Sequence, residues 1–211
     1  MGGQILKQEA AGLAEKATII VGHPNPGGFA HLLAERVHEV WQAAGYDTEL
    51  CDLVEEGFDP CLTEAEARGQ PTSDALVRRH QERLLDSALL CISHPNYWSG
   101  PPAILKGWVD RVLAFNVAYR FEEGQSPDDP PVGLLPVRHA LVLNTGDTPL
   151  AREVEVFGDP LEKIWTTSIL GFCGVQSVTR LLYGPLVTSS ADARDDWLSD
   201  AAQIAEELAR G

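Results

Sequence analysis

Five short apolar runs alternate with segments of helical periodicity, and this alternation constrains the fold of the chain more than any other feature. The runs fall at residues 17–21, 48–54, 88–92, 139–143 and 175–183. The periodic segments fall at 29–44, 74–86, 102–112 and 159–171. A last one follows a helix cap at Ser189 or Ser190 and reaches residue 208. Parallel strands joined by helices need right-handed crossovers that cover both sheet faces. The pattern therefore predicts an α/β protein, a three-layer α/β/α sandwich on a five-stranded parallel sheet.

The flavodoxin-like strand order 2-1-3-4-5 fits a chain of 211 residues. In that order a ligand crevice lies at the carboxyl ends of strands one, three and four. We assign residues 17–211 to this single domain and residues 1–16 to an N-terminal arm, either a dimer contact or a disordered leader. The polar segments 55–73 and 122–135 are expected to be surface loops.

The composition excludes several classes of partner. The formal net charge is −15, from 31 acidic and 16 basic residues. Such a surface repels nucleic-acid phosphates and anionic lipids, so neither nucleic-acid binding nor membrane insertion is expected. The apolar runs are too short for a membrane span, and residues 1–16 lack a signal-peptide core. Four cysteines without a CxxC pair favour a reducing, cytoplasmic compartment.

Two loops at the predicted crevice are unusual. Residues 95–101 form a proline-rich turn with Tyr97 and Trp98, and a helix is expected to start near Pro102. Such a turn suits a flat aromatic ligand, whereas a corner with packed aromatic side chains is the alternative. The glycine-rich loop 22–28 leads into the first helix, whose free N–H groups would bind an anion. A plain glycine turn is the alternative reading there.

Other motifs carry less information. His23, His31 and His38 are spaced by eight and seven residues, whereas helical metal ligands usually lie three or four apart, so no metal site is expected. His94 is expected to be a satisfied histidine at a strand end. No GxGxxG, Walker A or GxSxG motif occurs, which argues against a dinucleotide Rossmann site, an NTPase and a serine hydrolase.

One long motif, PxxWxGxPAILKGWxxRV at residues 95–112, identifies a resemblance. Together with shorter matches over residues 23–198, it resembles the NAD(P)H:quinone oxidoreductase family of flavodoxin-fold diaphorases. The shorter matches are Asp52-Leu53, Phe58-Asp59-Pro60, Ala118-Tyr119, Thr145-Gly146, Phe172-Cys173-Gly174 and Ala191-Asp192-Ala193-Arg194.

The resemblance implies a homodimeric flavoenzyme with sites at the subunit interface. It would transfer two electrons, as a hydride, from NAD(P)H through flavin N5 to a quinone or similar small acceptor. One alternative is an ancillary, regulatory flavoprotein subunit of a potassium-efflux-type transporter. Another is a one-electron carrier of the flavodoxin type.

The resemblance also assigns cofactor contacts by position. It places the flavin phosphates at His23, Asn25, Gly27, Gly28, Phe29 and Ala30. It places the isoalloxazine against Pro95, Asn96, Tyr97 and Trp98, and its pyrimidine side against Asn144, Thr145, Gly146 and Asp147. Arg194 matches a residue near the adenine of FAD, which favours FAD over the alternative, FMN.

The catalytic slot would be lined by aromatic side chains. Trp98 would form one wall, and Tyr119, Phe121 and Phe172 would cover the flavin from the second subunit. Phe157 stands where animal members have a histidine that acts beside a tyrosine, and no tyrosine is present at 150–159.

Other departures bear on flavin retention and rate. Gly27, Gly28 and Ala30 replace hydroxyl and amide side chains, which should weaken flavin retention. Asp147 replaces a glycine, and if it pointed inward its charge would lower the reduction potential. Ser99 replaces a bulky aromatic residue and should widen the pocket.

Overall fold

The computed structural model describes residues 14–126 and 128–211. Its main sheet contains the parallel strands β1 (Lys16–Val21), β2 (Asp47–Asp52), β3 (Ser87–Pro95), β6 (His139–Thr145) and β7 (Ser177–Tyr183). The antiparallel strands β4 (Tyr119–Arg120) and β5 (Val132–Gly133) form a separate pair. The main sheet has the order β2-β1-β3-β6-β7, which is 2-1-3-4-5 once that pair is set aside. The predicted fold class and strand order are confirmed.

Helices cover both faces of the sheet. They are α1 (Phe29–Ala43), α2 (Glu64–Ala67), α3 (Ala75–Leu85), α4 (Ala103–Val112), α5 (Leu150–Glu155), α6 (Pro160–Lys163) and α7 (Ala191–Arg210). Apolar side chains of α1 and α7 form one core, and those of α3, α4 and α6 form the other. Among the described residues, no helix combines the length and apolarity needed to cross a membrane.

The central strand β3 is buried at every one of its nine positions. Leu90 and Ile92 point into the core under α3 and α4, whereas Leu89 and Cys91 point into the core under α1 and α7. Successive side chains of a strand face opposite sides, so a strand covered on both faces needs apolar residues without alternation. This explains the continuous apolar run at 88–92.

Helix α4 packs directly on the backbone of the loop that follows β2. A Cβ atom added at Gly107 would lie 2.3 Å from the carbonyl oxygen of Pro60. The two segments therefore approach more closely than any side chain at position 107 allows. This contact accounts for the glycine within the 95–112 motif.

Several predicted boundaries and elements were wrong. The segment 122–135 is not entirely loop, since Val132–Gly133 pairs with Tyr119–Arg120. The helix expected at 159–171 is α6 followed by a π-helix, Ile164–Ile169. The helices α2 and α5 were not expected, although Thr63 and Glu66 form a capping box that signals α2.

The bounds of two strands also differ from the predicted ones. β2 ends at Asp52, and β1 begins at Lys16, inside the predicted arm. Residues 1–13 of that arm lie outside the described residues.

We expect Gly107→Ala to lower the free energy of unfolding by about 2 kcal/mol, because the added methyl group forces α4 away from Pro60. An alanine in a helix would otherwise stabilise it by up to about 1 kcal/mol relative to glycine. Chemical denaturation measures the difference. The control is Lys106→Ala, whose exposed side chain should matter by less than about 0.5 kcal/mol. An unchanged or raised stability of Gly107→Ala would contradict the packing argument.

Candidate functional site

The carboxyl ends of three neighbouring strands meet at one edge of the sheet. Val21 of β1 lies beside Ser93 of β3, and Pro95 of β3 lies beside Thr145 of β6. The loops 22–28, 96–102 and 146–149 leave the sheet at this edge. The structure therefore brings together the three segments in which the sequence placed most of the cofactor contacts.

The loop 22–28 presents backbone donors at the start of α1. No described residue accepts a hydrogen bond from the N–H groups of Phe29 or Ala30. Free N–H groups and the positive end of a 15-residue helix favour an anion. The backbone of α1 thus supplies a binding site for phosphate oxygens.

The glycines of this loop have a steric role. Gly27 has a φ of +79°, which L side chains rarely adopt. A Cβ atom at Gly28 would lie 2.8 Å from Cε1 of His23, whose Nδ1 accepts the backbone N–H of Asn25 at 3.0 Å. The loop therefore closes over the His23 ring, and a hydroxyl side chain at either glycine would disturb it.

A buried pair beneath this loop was missed by the sequence analysis. Nε2 of His31 lies 2.8 Å from Oδ2 of Asp52, and Oδ1 of Asp52 accepts the N–H of Val54. The His23 and His31 rings meet edge to face with centroids 5.7 Å apart, although their sequence spacing suggested separation. Burial lowers the pKa of His23, which favours its neutral ring. Anion binding here therefore depends on backbone groups.

The segment 95–100, hereafter the Trp98 turn, projects from the end of β3. Tyr97 and Gly100 exchange two backbone hydrogen bonds, of 3.0 and 3.1 Å. Trp98 and Ser99 have φ values of +55° and +58°, the feature of a type I′ turn. Non-glycine residues in this left-handed region cost about 1 kcal/mol or more each, and such strain clusters at functional sites.

The Trp98 turn exposes an aromatic ring and two backbone donors. The side chain of Trp98 is fully exposed, so no described residue covers it. No described residue accepts a hydrogen bond from the N–H groups of Trp98 or Ser99. By contrast, the N–H of Asn96 is bound by the carbonyl of Thr145 at 2.6 Å. Only part of the turn is therefore available to a ligand.

The end of β6 differs from expectation in detail. Asn144 is completely buried, and its amide faces His94 and Arg180 rather than the crevice. Asp147 is exposed, and its Oδ1 accepts the N–H of Val187 at 2.9 Å. The Asp147 carboxylate is thus held by the neighbouring loop. Gly146 donates its N–H to Tyr183.

The expected covering residues form a cluster of their own. The ring of Tyr119 meets those of Phe115, Phe121 and Phe172, with centroids 6.0, 6.1 and 5.0 Å away. Close packing of Gly133 on Gly174 joins β5 to the segment that carries Phe172. The three phenylalanines remain 38–47% exposed. This aromatic cluster is an apolar surface that its own chain leaves partly open.

Two further predicted residues lie apart from that cluster. Phe157 is 47% exposed beyond the end of α5. Arg194 is on the first turn of α7, where its Nε donates to Oγ of Ser189 and its Nη2 to the carbonyl of Leu186, at 2.8 and 3.0 Å. Arg194 thus lies beside the loop that also holds Asp147.

The fold brings together one group of residues of the types that bind metal ions, which the spacing of the histidines did not indicate. Atoms of Cys51, Glu56 and His80 lie within 4.8 Å of one another. However, Nδ1 of His80 accepts the N–H of Trp108, so its Nε2 carries hydrogen and donates to Glu56 at 2.9 Å. Burial raises the pKa of Cys51 to about 12. The group is therefore arranged as a hydrogen-bonded network.

The chain is similar to known proteins over most of its length. Residues 15–208 match a family model described as flavodoxin-like fold. A Haemophilus influenzae protein named an uncharacterized NAD(P)H oxidoreductase is 29% identical over 191 residues, 88% of this chain and 91% of that protein. Rat NAD(P)H dehydrogenase [quinone] 1 is 26% identical over 85% of this chain and 72% of its own. A solved NAD(P)H:quinone oxidoreductase from Methanothermobacter marburgensis, 24% identical, superposes with a TM-score of 0.79 over 93% of this chain and all of that one.

We expect Trp98→Asn to raise the free energy of unfolding by about 0.5–1 kcal/mol, because asparagine tolerates the left-handed region better than tryptophan. Thermal unfolding of the protein without ligand measures the change. The matched control is Tyr97→Asn, in the same turn but without a positive φ, which should bring no gain. A loss of stability in Trp98→Asn would show that the turn is not strained.

Proposed function

The chain belongs to the flavodoxin-like fold family, and from this premise we propose that it is a flavin-dependent NAD(P)H:quinone oxidoreductase. The single observation that carries the proposal is the Trp98 turn. It presents an exposed ring and free backbone donors on a strained backbone at the sheet edge. An exposed tryptophan on a strained turn has no role in packing its own chain, whereas a planar ligand would use both the ring and the donors.

The loop 22–28 suits the phosphate end of a flavin nucleotide. The N–H groups of Phe29 and Ala30 would hold phosphate oxygens, and the dipole of α1 would favour their charge. Because Gly28 has no side chain, a phosphate can approach the backbone there. Side-chain donors at 27, 28 and 30 are absent, so retention of the nucleotide should be weaker than with hydroxyl residues.

The Trp98 turn suits the isoalloxazine ring of a flavin nucleotide. The N–H groups of Trp98 and Ser99 would donate to acceptor atoms on the edge of the flavin ring, and the backbone of Thr145 and Gly146 would flank its pyrimidine side. The side chain of Asn144 takes no part, because it is buried. The indole of Trp98 would form one wall of the slot, and the small side chain of Ser99 would leave that slot wide.

A bound flavin would supply two-electron hydride transfer from NAD(P)H to a quinone-like acceptor. The residues of this chain position the ring, stack against the donor and the acceptor, and exclude water. Phe157 carries no titratable atom, so it cannot exchange a proton with the ring. The Asp147 carboxylate is bound to Val187, which keeps its charge directed toward the loop.

We also propose that the protein is a homodimer. Phe115, Phe121, Phe172 and Tyr119 form an apolar surface that is incompletely covered within one chain. In a two-fold dimer this surface would cover the partner's Trp98 turn and close the slot. The observation favouring this arrangement is that Trp98 stays uncovered within its own chain.

FAD is the flavin we propose, with FMN as the alternative. Arg194 lies beside the loop 184–189 and one helical turn before Trp197, whose ring packs against Phe29 at the start of α1, and its exposed guanidinium could stack on an adenine. Arg194→Ala should then weaken binding of FAD and leave binding of FMN unchanged. We also propose a cytoplasmic location and a single domain that begins with β1 at Lys16 and includes residue 211, with the residues before β1 as an arm.

The first test is spectroscopic. Purified protein, supplied with FAD or FMN, should become yellow, lose its flavin absorbance on anaerobic addition of NADPH or NADH, and regain it with menadione. Mass spectrometry of the flavin released by heating then identifies the bound form. Protein that binds neither flavin would overturn the proposal. Bound flavin that reacts with neither nicotinamide would instead point to an ancillary or electron-carrier role.

The second test asks which subunit covers the slot. Trp98→Asn and Phe121→Ser should each lower menadione reduction. If Phe121 covers the partner's Trp98 turn, a dimer of one Trp98→Asn chain and one Phe121→Ser chain has one intact site and one doubly altered site. When equal amounts of the two variants are mixed and allowed to exchange subunits, half of the dimers contain one chain of each variant. About a quarter of all sites are then intact, so the mixture should recover about a quarter of the wild-type rate. No recovery in a mixture shown to exchange subunits would place both residues in the same chain's site.

A further inference from the structure

His94 is the last but one residue of β3 and comes immediately before the Trp98 turn. It is completely buried and makes three polar contacts of 2.8 Å each. Its Nε2 faces Nε1 of Trp165 and Nδ2 of Asn144, and its Nδ1 faces the carbonyl oxygen of Pro95. Both ring nitrogens are therefore engaged, one with the interior and one with the turn.

The partners of His94 determine which of its nitrogens carries the hydrogen. The indole nitrogen of Trp165 can only donate, so Nε2 of His94 must accept. The guanidinium of Arg180 can also only donate, and its Nε lies 2.6 Å from Oδ1 of Asn144. The amide nitrogen of Asn144 must then face His94 as a second donor. The hydrogen of the neutral ring is thereby confined to Nδ1, where it is donated to Pro95.

Arg180 is itself fixed in place. Its side chain is 3% exposed, and Nη1 lies 2.8 Å from Oδ2 of Asp159 and 3.3 Å from Oε2 of Glu162. Two carboxylates therefore hold the guanidinium against Asn144 and prevent the amide from reversing. Trp165 is held by the π-helix, in which Leu170 donates its N–H to the carbonyl of Trp165. The interior thus positions both donors that face His94.

The consequence appears at the peptide bond that begins the Trp98 turn. The carbonyl of Pro95 is held by His94, and the N–H of Asn96 is held by Thr145. The side chain of Asn96 also donates to the buried carboxylate of Glu153 at 3.0 Å. With this peptide held on both sides, the turn leaves β3 in one direction. The free N–H groups of Trp98 and Ser99 therefore belong to a turn whose entry is fixed.

We propose that His94 is a positioning residue for the Trp98 turn, and that Trp165 and Arg180, acting through Asn144, keep its hydrogen on Nδ1. The identity of the ligand as a flavin rests on the proposed function, whereas the arrangement of the turn does not. Burial lowers the pKa of His94 to about 4, with a further lowering by Arg180 that the hydrogen bond to Pro95 opposes. The ring is therefore neutral near pH 7, as this role requires.

The first experiment needs no ligand. Protein with ¹⁵N-labelled histidine should show His94 in the neutral Nδ1–H form at pH 7, assigned by its loss in His94→Phe, with no titration between pH 8 and 5. The Nδ1–H form is the minor form of histidine in water, so its presence reports the local hydrogen bonds. A His94 ring with hydrogen on Nε2, or one protonated at pH 7, would overturn the proposal.

The second experiment measures the effect on binding with a matched control. His94→Phe keeps a flat ring but removes all three polar contacts, and we expect affinity for FAD and FMN to fall about tenfold, by isothermal titration. The control is His80→Phe, which also deletes a buried histidine that accepts an indole N–H, away from the turn. His80→Phe should lose comparable stability and keep wild-type flavin affinity. Equal effects of the two changes, or none in His94→Phe, would refute a positioning role.

A third variant covers the case in which His94→Phe does not fold. Asn144→Asp replaces a donor to Nε2 of His94 with a carboxylate, which draws the ring hydrogen to Nε2 and leaves Nδ1 with none to donate to Pro95. This change should weaken flavin affinity, and the carboxylate should also raise the pKa of His94 by about one unit or more. An unchanged pKa or affinity would contradict the proposal. If the wild-type protein binds no flavin, the proposed function fails. The positioning role is then decided by the histidine spectra and by the amide shifts of Trp98 and Ser99, which His94→Phe should move and His80→Phe should not.

Discussion

The structure depends on the burial of β3 from both sides. All nine of its residues are excluded from solvent, with helices α1 and α7 on one face and α3, α4 and α6 on the other. Apolar residues satisfy this requirement from Ala88 to Ile92. The strand then continues through Ser93 and His94, which are polar and still buried. Polar groups in such a place must find partners, because an unsatisfied one costs about 1–3 kcal/mol. The hydroxyl of Ser93 donates to the carbonyl of Ala30, and His94 is satisfied by three groups.

These partners connect the core to the candidate site. Ser93 links β3 to the first turn of α1, where the free N–H groups of Phe29 and Ala30 lie. His94 links the same strand to β6, to β7 through Arg180, and to the π-helix through Trp165. Both proposed ends of a flavin would thus be held by side chains of adjacent residues on one strand. The strained backbone at Trp98 and Ser99 persists because its entry is bound on both sides.

Charge is distributed unusually for a protein proposed to bind a phosphorylated cofactor. The chain has a net charge of −15, and the loop 22–28 contains no lysine or arginine. His23 in that loop has a lowered pKa, so it contributes little positive charge near pH 7. Attraction for phosphate must then come from backbone N–H groups and the helix dipole, which act only at short range. The nucleotide would be recognised by close fit to the glycine loop rather than by long-range steering.

The parallel sheet, a strand order that fits the length of the chain, and the three loops at the sheet edge are all predicted from the sequence. Those features follow from local apolar patterns and from turn residues, which the chain displays without reference to its fold. By contrast, the sequence does not show that Asn144 turns inward, that His31 meets Asp52, or that Trp165 lies on a π-helix facing His94. Each of these depends on contacts between residues 21 to 71 positions apart, for which sequence spacing holds no signal. The orientation of a buried polar side chain is set by the hydrogen-bond partners that packing places near it, and packing involves the whole chain.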